Sequence, residues 1–88
     1  VVEEARARLA EAQAVTQRTK EDEASTERLF QRGVVSRMEW SRSQTELERS
    51  LAAEEAARAA LARVRFEGAT QSTERRTRIA ALQGRLPA

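Results

Sequence analysis

Apolar or small side chains recur at Val2, Ala5, Leu9, Ala12, Thr16, Thr19, Thr26 and Phe30. Spacings of three and four residues predict one face of a helix. The face is narrow, and Glu23 falls on it, so its middle is poor in apolar surface. Glu4 and Arg8 lie one turn apart in the favourable order, worth a few tenths of a kcal/mol.

The pattern breaks within "RLFQRGVVSRMEW", residues 28–40. Gly33 suits the left-handed C′ position of a helix end, which places the stop near Arg32. In that register Leu29 is C3 and Val34 is C″, the two positions whose side chains meet in a Schellman ending. Ser36-Arg37-Met38-Glu39 reads as a capping box that opens a second helix. Val35 and Trp40 then take the N′ and N4 positions of a hydrophobic staple. A stop and a start so close together predict antiparallel helices.

The second helix carries Leu47, Leu51, Ala53, Ala57, Ala60, Leu61 and Val64, with no breaker until Gly68. Glu54 and Arg58 repeat the favourable charge order. The expected fold class is all-α: an antiparallel two-helix coiled-coil hairpin over residues 1–68. Its helices span about 2–32 and 36–67, with the turn at 33–35. Pairing about a centre between Val34 and Val35 sets Val1 opposite Gly68, so each arm is roughly 48 Å long at 1.5 Å per residue. Residues 69–88 overhang, with a further helical stripe at Ile79, Leu82 and Leu86, and Gly84 and Pro87 marking its end. Either the second helix continues through Gly68, at a cost of ~1 kcal/mol relative to Ala, or the chain folds back as a third helix. The pattern leaves both open.

Composition narrows the choice of fold. Of 88 residues 40% are hydrophobic, but many are alanine, and only 3% are aromatic. Alanine buries little area, so a compact core would not offset the entropy of ordering the chain. With 34% charged residues, one Pro and three Gly, the profile is that of long helices rather than a disordered segment. The chain contains no cysteine, which excludes disulfides and leaves both periplasm and cytosol open. No apolar run approaches the ~20 residues of a membrane span. Beginning at Val1, the chain reads as a piece of a larger protein whose targeting signals lie elsewhere.

The net charge is +2 and uneven. Residues 1–68 hold 12 basic and 13 acidic side chains, whereas 69–88 hold Arg75, Arg76, Arg78 and Arg85 against Glu74. Alternating signs through the body describe a solvated, ion-paired helix surface and not the sustained basic stripe of a nucleic-acid arm. No nucleic acid is therefore expected as a partner. A surface-active amphipathic helix is disfavoured by the thin apolar stripe and mixed charge.

Catalytic chemistry finds little footing. Without His or Cys there is no triad and no common metal site. Glu21-Asp22-Glu23 lacks an apolar pocket to shift its carboxylates and reads as a solvated face. Ser36 has no base and serves as a cap. Phosphate-loop and dinucleotide glycine patterns are missing. The expectation is a non-enzyme with neither cofactor nor metal.

At the turn two readings compete. Leu29–Val34 and Val35–Trp40 are cap contacts that any helical hairpin could use, and Phe30 can pack between the helices. Met38 is left over, together with Arg28, Arg32, Arg37 and Arg42 around the same turn. An apolar apex ringed with arginine has the composition of an interface hot spot. Both readings stand on these residues alone.

The stretch "LFQRGVVSRMEW", Leu29 to Trp40, resembles the hairpin tip of membrane fusion proteins, the periplasmic adaptors of tripartite bacterial exporters. Leu29, Gly33, Val34-Val35, Ser36 and Glu39 match the tip pattern, and "EEARARLAEAQAV" and "LAAEEAARAALARV" resemble its Ala-rich flanking helices. The resemblance covers most of residues 1–68. It implies an Arg-x3-Leu-x6-Ser motif that docks onto a TolC-type outer-membrane channel, with Leu29 and Ser36 at the Leu and Ser positions. The Arg position is Ser25 here, a departure; Arg28 and Arg32 lie on other faces of the helix. The docking tip so implied comprises Ser25, Leu29, Arg32, Gly33, Val34, Val35 and Ser36. The resemblance further implies a periplasmic location and anchorage to the inner membrane through other parts of the protein. It also implies assembly into rings, usually of six, and an export conduit to an inner-membrane transporter. The stripe from Ile79 to Leu86 favours the hemolysin-D-like branch that serves ABC exporters. The alternative is a passive coiled-coil spacer or assembly arm of another large protein.

Overall fold

The computed structural model describes residues 1–85 and shows an all-α, antiparallel two-helix hairpin. Helix α1 spans Val2–Gln31 and helix α2 spans Arg37–Arg85. The molecule is a rod of 84 × 15 × 14 Å. No described helix is long and apolar enough to cross a membrane.

The turn forms through the signals its sequence carries. Gly33 adopts φ +76°, the left-handed conformation that costs other residues a Cβ clash. This lets the Val34 N–H reach Leu29 O at 2.8 Å and the Gly33 N–H reach Phe30 O at 2.9 Å. These two bonds make a Schellman ending with Arg32 as C-cap. Four residues after that cap the Ser36 hydroxyl accepts from the Glu39 N–H at 3.1 Å and opens α2. The reciprocal bond from the Ser36 N–H to the Glu39 carboxylate is not formed among the described residues, so half of the capping box is present.

Along α1 a line of buried and half-buried residues runs through Val2, Ala5, Leu9, Ala12, Thr16, Thr19, Glu23, Thr26 and Phe30, with Val15 and Ala24 half-buried beside it. The three-four spacing of that line is the one read from the sequence, Glu23 included. On α2 the seam differs from expectation. It runs through Trp40, Ser43, Leu47, Ser50, Glu54, Ala57, Leu61 and Val64, with Gln44 and the expected Ala60 half-buried beside it. Leu51 is 44% exposed and Ala53 is exposed, while Ser50 is buried. The reason is phase: α2 must keep the same three-four repeat as α1 to stay in contact with it, and Leu51 and Ala53 lie off that repeat.

The facing pairs fix the register. Phe30 stacks on Trp40, with centroids 4.9 Å apart, and Thr16 lies across from Glu54 and Ser50. Seven residues further from the turn on each helix, the same register sets Leu9 across from Leu61. The seam is thus apolar near the tip and near the base, and polar between. Among the described residues the buried apolar ones are Ala5 and Leu61, so the hairpin has a thin core.

Helix α2 does not end at Glu67. It continues through Gly68 to Arg85, so of the two courses open to residues 69–85 the chain takes continuation over fold-back. A single mid-helix glycine, costing ~1 kcal/mol, does not break it. The expected stripe residue Leu86 and the terminal marker Pro87 lie outside the described residues.

Candidate functional site

The turn between α1 and α2 lies at one end of the rod, with Leu29, Arg32, Gly33, Val34, Val35 and Ser36 at or beside it and Ser25 further down α1. Schellman and N-cap bonds hold the backbone from Leu29 to Glu39, which fixes where its side chains point. Val34 is 66% exposed, Met38 71% and Leu29 37%, whereas Val35 and Phe30 are half-buried. The apolar cluster therefore divides. Phe30 and Trp40 lock the two helices together, and Leu29, Val34 and Met38 face outward. Exposed Arg28, Arg32, Arg37 and Arg42 surround them.

Trp40 makes two contacts with α1. Its ring lies nearly parallel to Phe30 at 17°, and its Nε1–H donates to Glu23 Oε1 at 3.3 Å. The seam carboxylate at Glu23 thus answers the indole's need for an acceptor when it is half-buried. Sequence reasoning had marked Glu23 as a weak point of the seam and missed its partner. Trp40 lies on the α2 seam repeat, and that was the available signal.

Ser25 lies one turn below Leu29. Its hydroxyl accepts from Arg28 Nη2 at 3.2 Å, so the Arg28 guanidinium rests on the position 25 side chain. Although Arg28 sits on a different angular face by its Cα, its long side chain reaches back along the helix. Cationic charge is delivered to that position from three residues away.

A second polar constellation lies mid-rod. Thr16 Oγ1 is 3.0 Å from Ala12 O and 3.1 Å from Ser50 O, and it also neighbours the Glu54 carboxylate. One hydroxyl proton serves these acceptors in turn. Arg58 Nη2 donates to Glu54 Oε2 at 2.7 Å and also approaches Glu55 at 3.5 Å. Arg58 foremost, then Thr16, holds the Glu54 carboxyl below the usual range, with Lys20 adding to the effect. No buried side-chain nitrogen or oxygen among the described residues lacks a hydrogen-bond partner. The constellation is a satisfied structural joint, not a site with free capacity. No group of three potential ligands among the described residues is placed to hold a metal ion.

No family model matches the chain, and neither a curated protein nor a solved structure does so.

Proposed function

We propose that this hairpin belongs to a periplasmic adaptor of the membrane fusion protein family and docks by its tip onto a TolC-type outer-membrane channel. It would stand with other copies, six in the full assembly, as part of the wall of an export conduit. Other parts of the protein would anchor it to the inner membrane and to its transporter, of which the ABC type is favoured. The observation that carries this reading is the division of the apical cluster. Leu29, Val34 and Met38 are exposed on a backbone held in place by cap hydrogen bonds. A preordered apolar apex loses little entropy on docking.

The Arg28–Ser25 contact supports the same reading. The tip motif of the family begins with an arginine where this chain has Ser25, and Arg28 brings a guanidinium to that place. The polar half of the docking contact would then be kept by a different residue.

A photoreactive residue at Val34, the more exposed of the two apical valines, tests the reading in the full-length protein in its own cell. The expected product is a crosslink to an outer-membrane channel, lost in Leu29→Asp. Crosslinks confined to another copy, or to a cytoplasmic protein, would instead assign the hairpin to a coiled-coil arm.

A further inference from the structure

Glu23 stands half-buried on the seam of α1, where an apolar side chain would stabilise more and a carboxylate gives up part of its hydration. Its geometry says what it does there. Trp40 meets α1 twice: its face lies on Phe30 with centroids 4.9 Å apart, and its Nε1–H reaches Glu23 Oε1 at 3.3 Å. Phe30 and Glu23 are two helical turns apart, about 11 Å along the axis. A stack fixes the plane of the indole but leaves the ring free to turn within that plane. A hydrogen bond is directional, so the carboxylate fixes the direction that the stack leaves open.

The exposed apolar residues of the tip are attached to the two halves of this clasp. Leu29 directly precedes Phe30 on α1, and Met38 lies just before Trp40 on α2. The backbone N–H of Trp40 donates to Ser36 O at 3.2 Å, which ties the indole to the turn of helix that carries Met38. The caps act over a few residues of chain only. The Val34 N–H closes α1 on Leu29 O, and the Glu39 N–H opens α2 on the Ser36 hydroxyl. Neither bond sets how the first turn of α2 is rotated against α1. Among the described residues no ion pair joins the two helices. The side-chain hydrogen bonds that do so are made by Thr16, in mid-rod, and by Trp40, beside the tip. Thr16 lies about four turns below Phe30, so rotation at the apex is left to the Trp40 contacts.

We infer that Glu23 is a positioning residue for the docking apex. By fixing the direction of the Trp40 indole, it holds Leu29 of α1 and Met38 of α2 in the relative placement that a partner engages. The inference rests on the proposed docking of the tip and adds to it a residue that acts through Trp40 and not by touching the partner.

Two readouts test it. Trp40 is the one tryptophan of the 88-residue chain, so near-ultraviolet circular dichroism and fluorescence anisotropy report its immobilisation. In the full-length protein in its own cell, the photoreactive residue at Val34 reports docking. Glu23→Leu puts an apolar side chain on the seam and should melt at least as high as the parent. Its near-ultraviolet signal should nevertheless fall, and its crosslink to the channel should drop about threefold or more, the scale of ordering a side chain or two at an interface. Glu23→Gln keeps an oxygen acceptor and should retain both signals. Trp40→Phe keeps a ring against Phe30 and loses the N–H, so it should lose crosslink as Glu23→Leu does. Glu23→Leu/Trp40→Phe should then lose no more than either single change. An undiminished crosslink in Glu23→Leu and Trp40→Phe overturns the inference and leaves the docking of the tip standing. So do crosslink yields that simply follow the melting midpoint across the set, an equal loss in Glu23→Gln, or additive losses in the double variant. No channel crosslink from the parent strikes the docking reading itself, and the inference falls with it.

Discussion

Glu54 occupies a seam position where an apolar side chain would be ordinary, and the price is small because its carboxylate is never left alone. Arg58 at 2.7 Å, the Thr16 hydroxyl and the nearby Lys20 all favour the charged form. A carboxyl held below its unfolded value stabilises the fold fully above that unfolded value. The stabilisation is lost as pH falls through the folded value. Acidification below the ordinary carboxylate range, about pH 4, should therefore lower the thermal midpoint of the hairpin. Glu54→Gln should lower the midpoint at neutral pH, where the carboxylate contributes, and flatten the acid part of the profile. Melting curves of the two chains from neutral to acid pH check this. Parallel profiles would mean that the Glu54 contacts contribute nothing in solution, as many exposed pairs do not.

At the level of elements, the two described glycines of the hairpin region should respond in opposite directions. Gly33 holds a left-handed turn at φ +76°, and an added Cβ would touch nothing within 4 Å. The cost of Gly33→Ala is then backbone strain alone, about 1 kcal/mol. Gly68 sits inside α2, again with open space around it, so Gly68→Ala should stabilise by up to ~1 kcal/mol. Urea titrations followed by helicity would show the opposite signs, and a shared sign would contradict the assignment of either residue. These elements also show what the sequence made legible. Gly33, Ser36 and the α1 seam could be read because capping and periodicity are local rules. The α2 seam was misread at Leu51 and Ala53, since hydrophobicity was followed where the repeat that kept α2 facing α1 passed through Ser43, Ser50 and Glu54. The course beyond Gly68 was undecided because one glycine's penalty is comparable to what a few neighbouring residues contribute.

On the scale of the whole molecule, the rod is longer than its core can justify. Among the described residues two apolar ones are buried, the middle of the seam is polar, and the ion pairs lie within one helix between side chains that keep contact with solvent. Such pairs add at most ~0.5 kcal/mol each. Leu61 is the largest side chain among the buried apolar residues, and Leu61→Ala should cost about 2 kcal/mol or more. In a hairpin with this core, that is enough to abolish cooperative melting of the chain by itself. A thin seam with solvated flanks is stable in proportion to what packs against it, and each copy added to an assembly stabilises the others by mass action. The thermal midpoint of the 88-residue chain should accordingly rise with protein concentration, and Leu61→Ala should recover helicity at high concentration. A midpoint that stays fixed over a hundredfold range of concentration would show that the hairpin stands alone. In that case its own thin seam, rather than its neighbours, would hold the rod together.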